Sequence, residues 1–150
     1  ISDRSVWQKE RARAIELQKS CDVLLFGSDC DSKCIEIASA NAKRAKVESH
    51  IKLETRDALD RDYSSLSGTL VTNPPYGERM GELNQARALY SKLGKALSDA
   101  VNLKKYIISS DPEFEDFFGQ KADKKRKLYN GMIKCDLYMY FKKQSNVNKN

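Results

Sequence analysis

Short continuous apolar runs alternate along the chain with stretches in which apolar positions return every three or four residues. That alternation predicts a series of strands and helices. Residues 4–19 read as a helix with Trp7, Ala14 and Ile15 as inward positions. The apolar run within residues 22–28 fits a parallel strand buried on both faces. Residues 32–46 are helical, with Ile35, Ala38, Ala42 and Ala45 on one stripe and Asp31 or Ser32 as its cap. A short strand at 50–55 opens at His50, and another at 67–72 is stopped by Pro74 and Pro75. Residues 82–101 form a long helix whose stripe is Leu83, Ala86, Tyr90, Leu93 and Leu97. A strand at 104–110 follows, and Asp111-Pro112 starts a short helix ending near Phe118. Strands at 122–129 and 132–142 meet around Asn130-Gly131, a strong hairpin signal. The polar residues 144–150 read as a disordered tail after one domain at 1–143.

Strands and helices that alternate and then finish in a hairpin define an α/β fold, a parallel sheet with right-handed crossovers and an antiparallel end. Ligands of such sheets sit at the carboxyl ends of the strands. The residues to inspect therefore follow Phe26, Thr55, Thr72 and Ile108. No internal repeat or low-complexity linker interrupts the pattern.

Composition adds two constraints. The apolar runs are too short to span a bilayer, and the first residues lack the charged-then-apolar order of a secretory signal. A cytoplasmic protein is expected, and its start at Ile1 suggests a piece of something longer. The net charge of +6 permits a polyanionic partner. Lys121, Lys124, Lys125, Arg126 and Lys127 crowd one stretch, and Arg11, Arg13 and Lys19 lie on the first helix. Such groups serve either as a solvated surface or as a nucleic-acid contact. Cys30 and Cys34 could share a helix face, but zinc sites usually combine two close ligand pairs, and only Cys21, Cys135 and His50 remain. Reduced cysteines and no metal are the expectation, with His50 on a loop or surface.

Three strand ends carry candidate chemistry. In Gly27-Ser28-Asp29-Cys30-Asp31 an acidic side chain can accept hydrogen bonds from both hydroxyls of a ribose, with Gly27 letting the backbone turn closely around the ligand. Nicotinamide enzymes use the same device, and an acidic helix cap looks similar. In Arg56-Asp57-Ala58 a carboxylate could accept from an adenine amino group, or could belong to a plain polar loop. Asn73-Pro74-Pro75-Tyr76 is more specific. The amino nitrogen of a nucleobase is a poor nucleophile because its lone pair is delocalised into the ring. The Asn73 side-chain oxygen and the Pro74 carbonyl can accept its two hydrogens, favouring a pyramidal nitrogen. Two prolines preorganise the turn, and Tyr76 can stack on the base.

This four-residue string resembles motif IV of the amino-nitrogen methyltransferases. The resemblance implies the Rossmann-like class I methyltransferase fold, a seven-stranded sheet ending in an antiparallel hairpin. It also implies S-adenosylmethionine as cofactor, with Asp29 on its ribose, Cys30 against its adenine, and Asp57 and Ala58 beside the adenine amino group. Asn73, Pro74, Pro75 and Tyr76 would be catalytic, with Asn73 also lining the cofactor site. The longer string Val71-Thr72-Asn73-Pro74-Pro75-Tyr76-Gly77-Glu78-Arg79-Met80 is similar to bacterial methyltransferases of a guanine amino group in large-subunit ribosomal RNA. Residues 27–31, 118–125 and Asn130-Gly131 extend that similarity over about 5–142. RNA is the implied partner, with Lys121, Lys124, Lys125, Arg126 and Lys127 along its backbone.

The family's first strand and Gly-rich motif I have no counterpart in the chain, nor has the RNA-binding module expected upstream. A C-terminal part of the catalytic domain is the expected reading, inactive when isolated. The first strand belongs between those at 22–28 and 67–72, which would otherwise face a gap or pair differently. The rivals are a DNA adenine-amino methyltransferase, a nicotinamide oxidoreductase that leaves Asn73-Pro74-Pro75-Tyr76 unexplained, and an RNA-binding module without catalysis.

Overall fold

The computed structural model describes residues 4–19, 23–77 and 80–141. The residues of the expected tail, 144–150, lie outside them. The chain divides into two compact units, Ile1–Thr55 and Arg56–Asn150.

In the first unit, α1 (Arg4–Glu16) precedes β1 (Leu25–Asp29), α2 (Ser32–Ala45) and β2 (Ile51–Thr55). Strands β1 and β2 pair in parallel, Leu25 opposite Ile51 and Asp29 opposite Thr55. Helix α2 starts where predicted because the Asp31 side chain accepts from the Lys33 amide at 2.9 Å. It stops at Lys46, which takes a left-handed φ of 58° and returns its amide to Ala42 and Lys43. His50 closes a 3-10 turn instead of opening β2.

Two expectations fail in this unit. Trp7, Ala14 and Ile15 do not point inward: no residue of α1 is buried. Nor is the first strand covered on both faces, for Leu25 and Phe26 are more than half exposed. A parallel strand is buried only when helices cover both its faces, and within this unit α2 packs on it.

The second unit contains β3 (Gly68–Thr72), α3 (Met80–Ala96), β4 (Leu103–Ser109), α4 (Phe114–Phe118), β5 (Lys124–Asn130) and β6 (Ile133–Tyr140). Its sheet has the order β3-β4-β6-β5. β3 and β4 are parallel, while β6 is antiparallel to both β4 and β5. β5 therefore runs in the same direction as β3 and β4, and all three end on one edge of the sheet. The strands thus form two sheets, with β1–β2 separate from the four-stranded one.

The core of this unit is aromatic and lies on one sheet face. Tyr90, Leu93 and Leu97 of α3 meet Ile107, Phe114, Phe118, Tyr138 and Tyr140. Phe114 sits at the centre, its ring 4.9 Å from Tyr90 and 4.6 Å from Tyr138. Each such buried ring contributes roughly 1.5–3 kcal/mol. α3 and α4 approach so closely that a Cβ on Gly94 would stand 1.9 Å from the Phe118 carbonyl oxygen. On the opposite face Val71 is exposed, and Tyr106, Ile108, Leu137 and Met139 are only partly buried.

The final hairpin turns one residue later than its sequence suggests. Asn130 still pairs with Ile133, so the two-residue loop is Gly131-Met132. Gly131 has φ 61° and no other hairpin residue has positive φ, the signature of a loop with glycine at its first central position.

Candidate active site

The Asn-Pro-Pro-Tyr segment leaves the end of β3 and is held from behind. Pro74 is buried, and the carbonyl of Pro75 accepts a 2.8 Å hydrogen bond from the Tyr90 hydroxyl of α3. Tyr90 is itself fully buried, and burial pushes its phenol above the ordinary value, so it stays a donor. The Ser109 hydroxyl donates to the Tyr90 oxygen at 3.3 Å and accepts from the Asp111 amide at 3.2 Å. Asp111 takes a two-point ion pair from Arg87 at 2.8 and 3.1 Å, and its carbonyl accepts from Tyr138. Arg87 also reaches Glu113 and stacks 4.6 Å over Phe117. Burial works to raise the Asp111 carboxyl, but the Arg87 hydrogen bond, the Glu113 amide and the Arg87 charge outweigh it and hold the group below its usual value. Asp111 is thus more than the start of a short helix.

The segment leaves this clamp through Gly77, at φ 67°, where a Cβ would lie 2.4 Å from the Leu83 Cα. Only glycine fits between the loop and the first turns of α3.

In front of the clamp, Asn73 and Tyr76 face a cleft of about 230 Å³ together with Ile108, Leu128, Asn130 and Cys135. This is below the roughly 300–1,000 Å³ of drug-sized ligand sites and suits one ring system. Its walls are apolar at Ile108, Leu128 and Cys135 and amide-bearing at Asn73 and Asn130. Tyr76 crosses it, donating from its hydroxyl to the Asn73 side-chain oxygen at 2.5 Å. Burial first, then the Cys135 thiol, push the Tyr76 phenol up, against Asn130 and Asn73, which pull it down. In this arrangement Asn73 is capped by Tyr76, so a base amino group would share or replace that hydrogen bond.

The two carboxylates singled out in the sequence lie in different units and are built alike. Asp29 ends β1, and its Oδ1 accepts from the Asp31 amide at 2.8 Å. Asp57 precedes a 3-10 turn at Ala58–Asp60, and its Oδ1 accepts from the Leu59 amide at 2.9 Å. Each is oriented by an amide two residues on, and its second oxygen can accept from a ligand hydroxyl or amino group. Taken singly, each carboxylate offers acceptors of the kind that the hydroxyls of a ribose or the amino group of an adenine would need. Gly27 lies within β1 opposite Leu53, whose side chain stands 2.8 Å from where its Cβ would be. Cys30 and Cys34 are free and exposed. The Asp29 charge foremost raises the Cys34 thiol, which favours its neutral form. Among the described residues no three histidine, cysteine or acidic side chains are grouped to hold a metal ion.

The basic stretch is not one patch. Lys121 pairs with Asp116 at 2.7 Å, and Lys125 with Glu115 at 2.7 Å. Strand alternation puts Lys125 and Lys127 on one face of β5 and Lys124 and Arg126 on the other, the face of Leu128 and the cleft.

Sequence reasoning missed Cys135, Leu128, Ile108 and Asn130 as cleft residues, and Tyr90, Arg87 and Asp111 as its support. The hairpin signal at Asn130-Gly131 pointed to the place but not to the function.

Relatives share this frame. The Ribosomal RNA large subunit methyltransferase K/L of Shewanella baltica (strain OS185) is 37% identical over 143 residues, covering 92% of this chain and 20% of that protein. The structure of SMU.472 complexed with SAH matches with a TM-score of 0.81 and 35% identity over 96% of this chain and 38% of its own. A predicted N6-adenine-specific DNA methylase from Listeria monocytogenes str. 4b F2365 matches with a TM-score of 0.78 and 34% identity, over 93% of this chain and 36% of its own. The chain spans a fifth to two fifths of the length of these proteins. Residues 1–139 match the RMKL-like methyltransferase domain, and the chain belongs to that family.

Proposed function

We propose that this chain is part of an enzyme that transfers a methyl group from S-adenosylmethionine to the exocyclic amino group of a base in RNA, with guanine of large-subunit ribosomal RNA as the favoured target. The observation that carries the reading is the clamped Asn73-Pro74-Pro75-Tyr76 turn. Tyr90 occupies the Pro75 carbonyl, while Asn73 and Tyr76 face a ring-sized cleft.

S-adenosylmethionine supplies an electrophilic methyl group on a positively charged sulfur. Asp29 and Cys30 would hold its ribose and adenine, Asp57 and Ala58 would contact the adenine amino group, and Asn73 would line the cofactor. The Asn73 oxygen and the Pro74 carbonyl accept the two hydrogens of the base amino group and aim its lone pair. With the cofactor bound, the amino nitrogen oriented by Asn73 and Pro74 would take up its methyl group and give one proton to water, so the chain would need to supply orientation and no strong general base. Tyr76 gives up its hydrogen bond to Asn73 and stacks on the base. Proximity and alignment supply most of the rate.

Lys121, Lys124, Lys125, Arg126 and Lys127 lie along the RNA backbone in this reading, with Lys124 and Arg126 on the cleft side and Lys121 and Lys125 sharing their charge with Asp116 and Glu115. The exposed Leu25, Phe26 and Val71 suit cover by further elements. A Gly-rich strand end and an RNA-binding module upstream complete the proposal. No described helix is long and apolar enough to cross a membrane, and a cytoplasmic location follows from the substrate.

The DNA adenine reading has one observation in its favour, the name of the Listeria relative. Methyl transfer by the full-length protein separates the two: label entering ribosomal RNA but not duplex DNA supports the RNA reading, and the reverse supports its rival.

A further inference from the structure

We propose that the tip of the β5–β6 hairpin is a wedge that enters the RNA helix beside the target base and holds it open. The inference rests on the function proposed above. A base inside a helix must leave its stack before its amino group can enter a cleft, and proteins that unstack bases insert apolar side chains at the vacated step.

The hairpin has the features such a wedge requires. Met132 is fully exposed, and Tyr129, three residues before it, is 73% exposed. A methionine wholly in water at a turn contributes nothing to the core of its own unit. The tip is stiff, because the strand ladder runs to Asn130–Ile133 and the loop is only Gly131-Met132. It is also adjacent to the chemistry: Asn130 and Leu128 line the cleft with Asn73 and Tyr76, and Tyr129 is on its rim. The flank is basic. Lys134 lies directly opposite Tyr129, on the hairpin face turned away from Leu128 and Asn130, where it can meet a phosphate of the displaced strand; Lys127 is on that face too, opposite Asp136. An apolar point beside a ring-sized cleft, flanked by lysines, is complementary to a nucleic-acid helix.

The test is single-turnover methyl transfer by the full-length protein carrying this chain. It uses one large-subunit ribosomal RNA fragment, presented once as an annealed stem and once as a single strand. Met132→Ser is expected to slow transfer to the stem by about tenfold or more and transfer to the single strand by less than about twofold. Its thermal midpoint should match that of the wild type. Tyr129→Ala should slow both reactions, the stem more. Equal rates for wild type and Met132→Ser on the stem overturn the wedge and leave the proposed function standing. An equal loss on both RNAs, with or without a lower midpoint, overturns it as well. Absence of transfer by the wild type to either RNA overturns the proposed function and the wedge with it.

Discussion

The Tyr90 hydroxyl, buried in the aromatic core, donates its hydrogen bond to the carbonyl of Pro75 on the loop that ends β3. Through that bond the position of the Asn73 amide depends on the packing of α3, Ser109 and Asp111. Tyr90→Phe keeps the ring against Phe114 and removes the donor to Pro75 together with the weaker acceptor of the Ser109 hydroxyl. It should cost about 1 kcal/mol of stability and slow methyl transfer by about tenfold, with the loss in kcat and not KM. Chemical denaturation with steady-state kinetics checks both.

Asn73 supplies the acceptor that orients the nitrogen. Asn73→Ala should lower transfer by about a hundredfold or more while circular dichroism stays native. Tyr76→Phe removes the hydroxyl that caps Asn73 but keeps a stacking ring, so its rate should fall only a few-fold, and Tyr76→Ala should fall much further.

Gly94 shows what close helix packing demands. Its Cβ position is 1.9 Å from the Phe118 carbonyl oxygen, so Gly94→Ala must push α3 and α4 apart. A loss of about 1–3 kcal/mol is expected, read as a lower urea midpoint. Gly119→Ala meets no neighbour but sits at φ 78°, and it should cost about 1–2 kcal/mol through backbone strain alone.

Acid should weaken the support of the site. Asp111 and Glu115 both have carboxyls held below their usual values: burial opposes the shift, but Arg87 outweighs it for Asp111 and Lys125 for Glu115. A depressed folded-state value means the stabilisation is complete above the unfolded value of roughly 4 and is lost as pH falls through the folded one. Urea midpoints should therefore be flat near neutrality from these groups and fall below about pH 4. Asp111→Asn should be less stable at neutral pH and show a shallower acid decline.

Much of this was legible in the sequence, and the exceptions have physical causes. The strand–helix alternation, the Asp31 cap and the turn after Thr72 were visible because each is a local signal. Trp7 and Ile15 read as inward because apolar residues at helical spacing look the same whether or not anything covers them. Helix α3 ends at Ala96, short of the predicted 101, since the Ser98 hydroxyl bonds the Lys95 carbonyl and draws the chain into a turn while Leu97 and Ala100 stay buried. The hairpin turned at Gly131-Met132 because one positive-φ residue suffices for that loop, which frees Asn130 to face the cleft. Cys135 and Asp111 were invisible as site residues, since their roles depend on which strands become neighbours.

The most direct test of the account is transfer of labelled methyl from S-adenosylmethionine to large-subunit ribosomal RNA by the full-length protein, beside its Asn73→Ala variant. The account predicts label in the amino group of a base with the wild type and at least about a hundredfold less with the variant. A folded wild type that leaves the RNA unlabelled, or an Asn73→Ala variant that labels it at the wild-type rate, would contradict it.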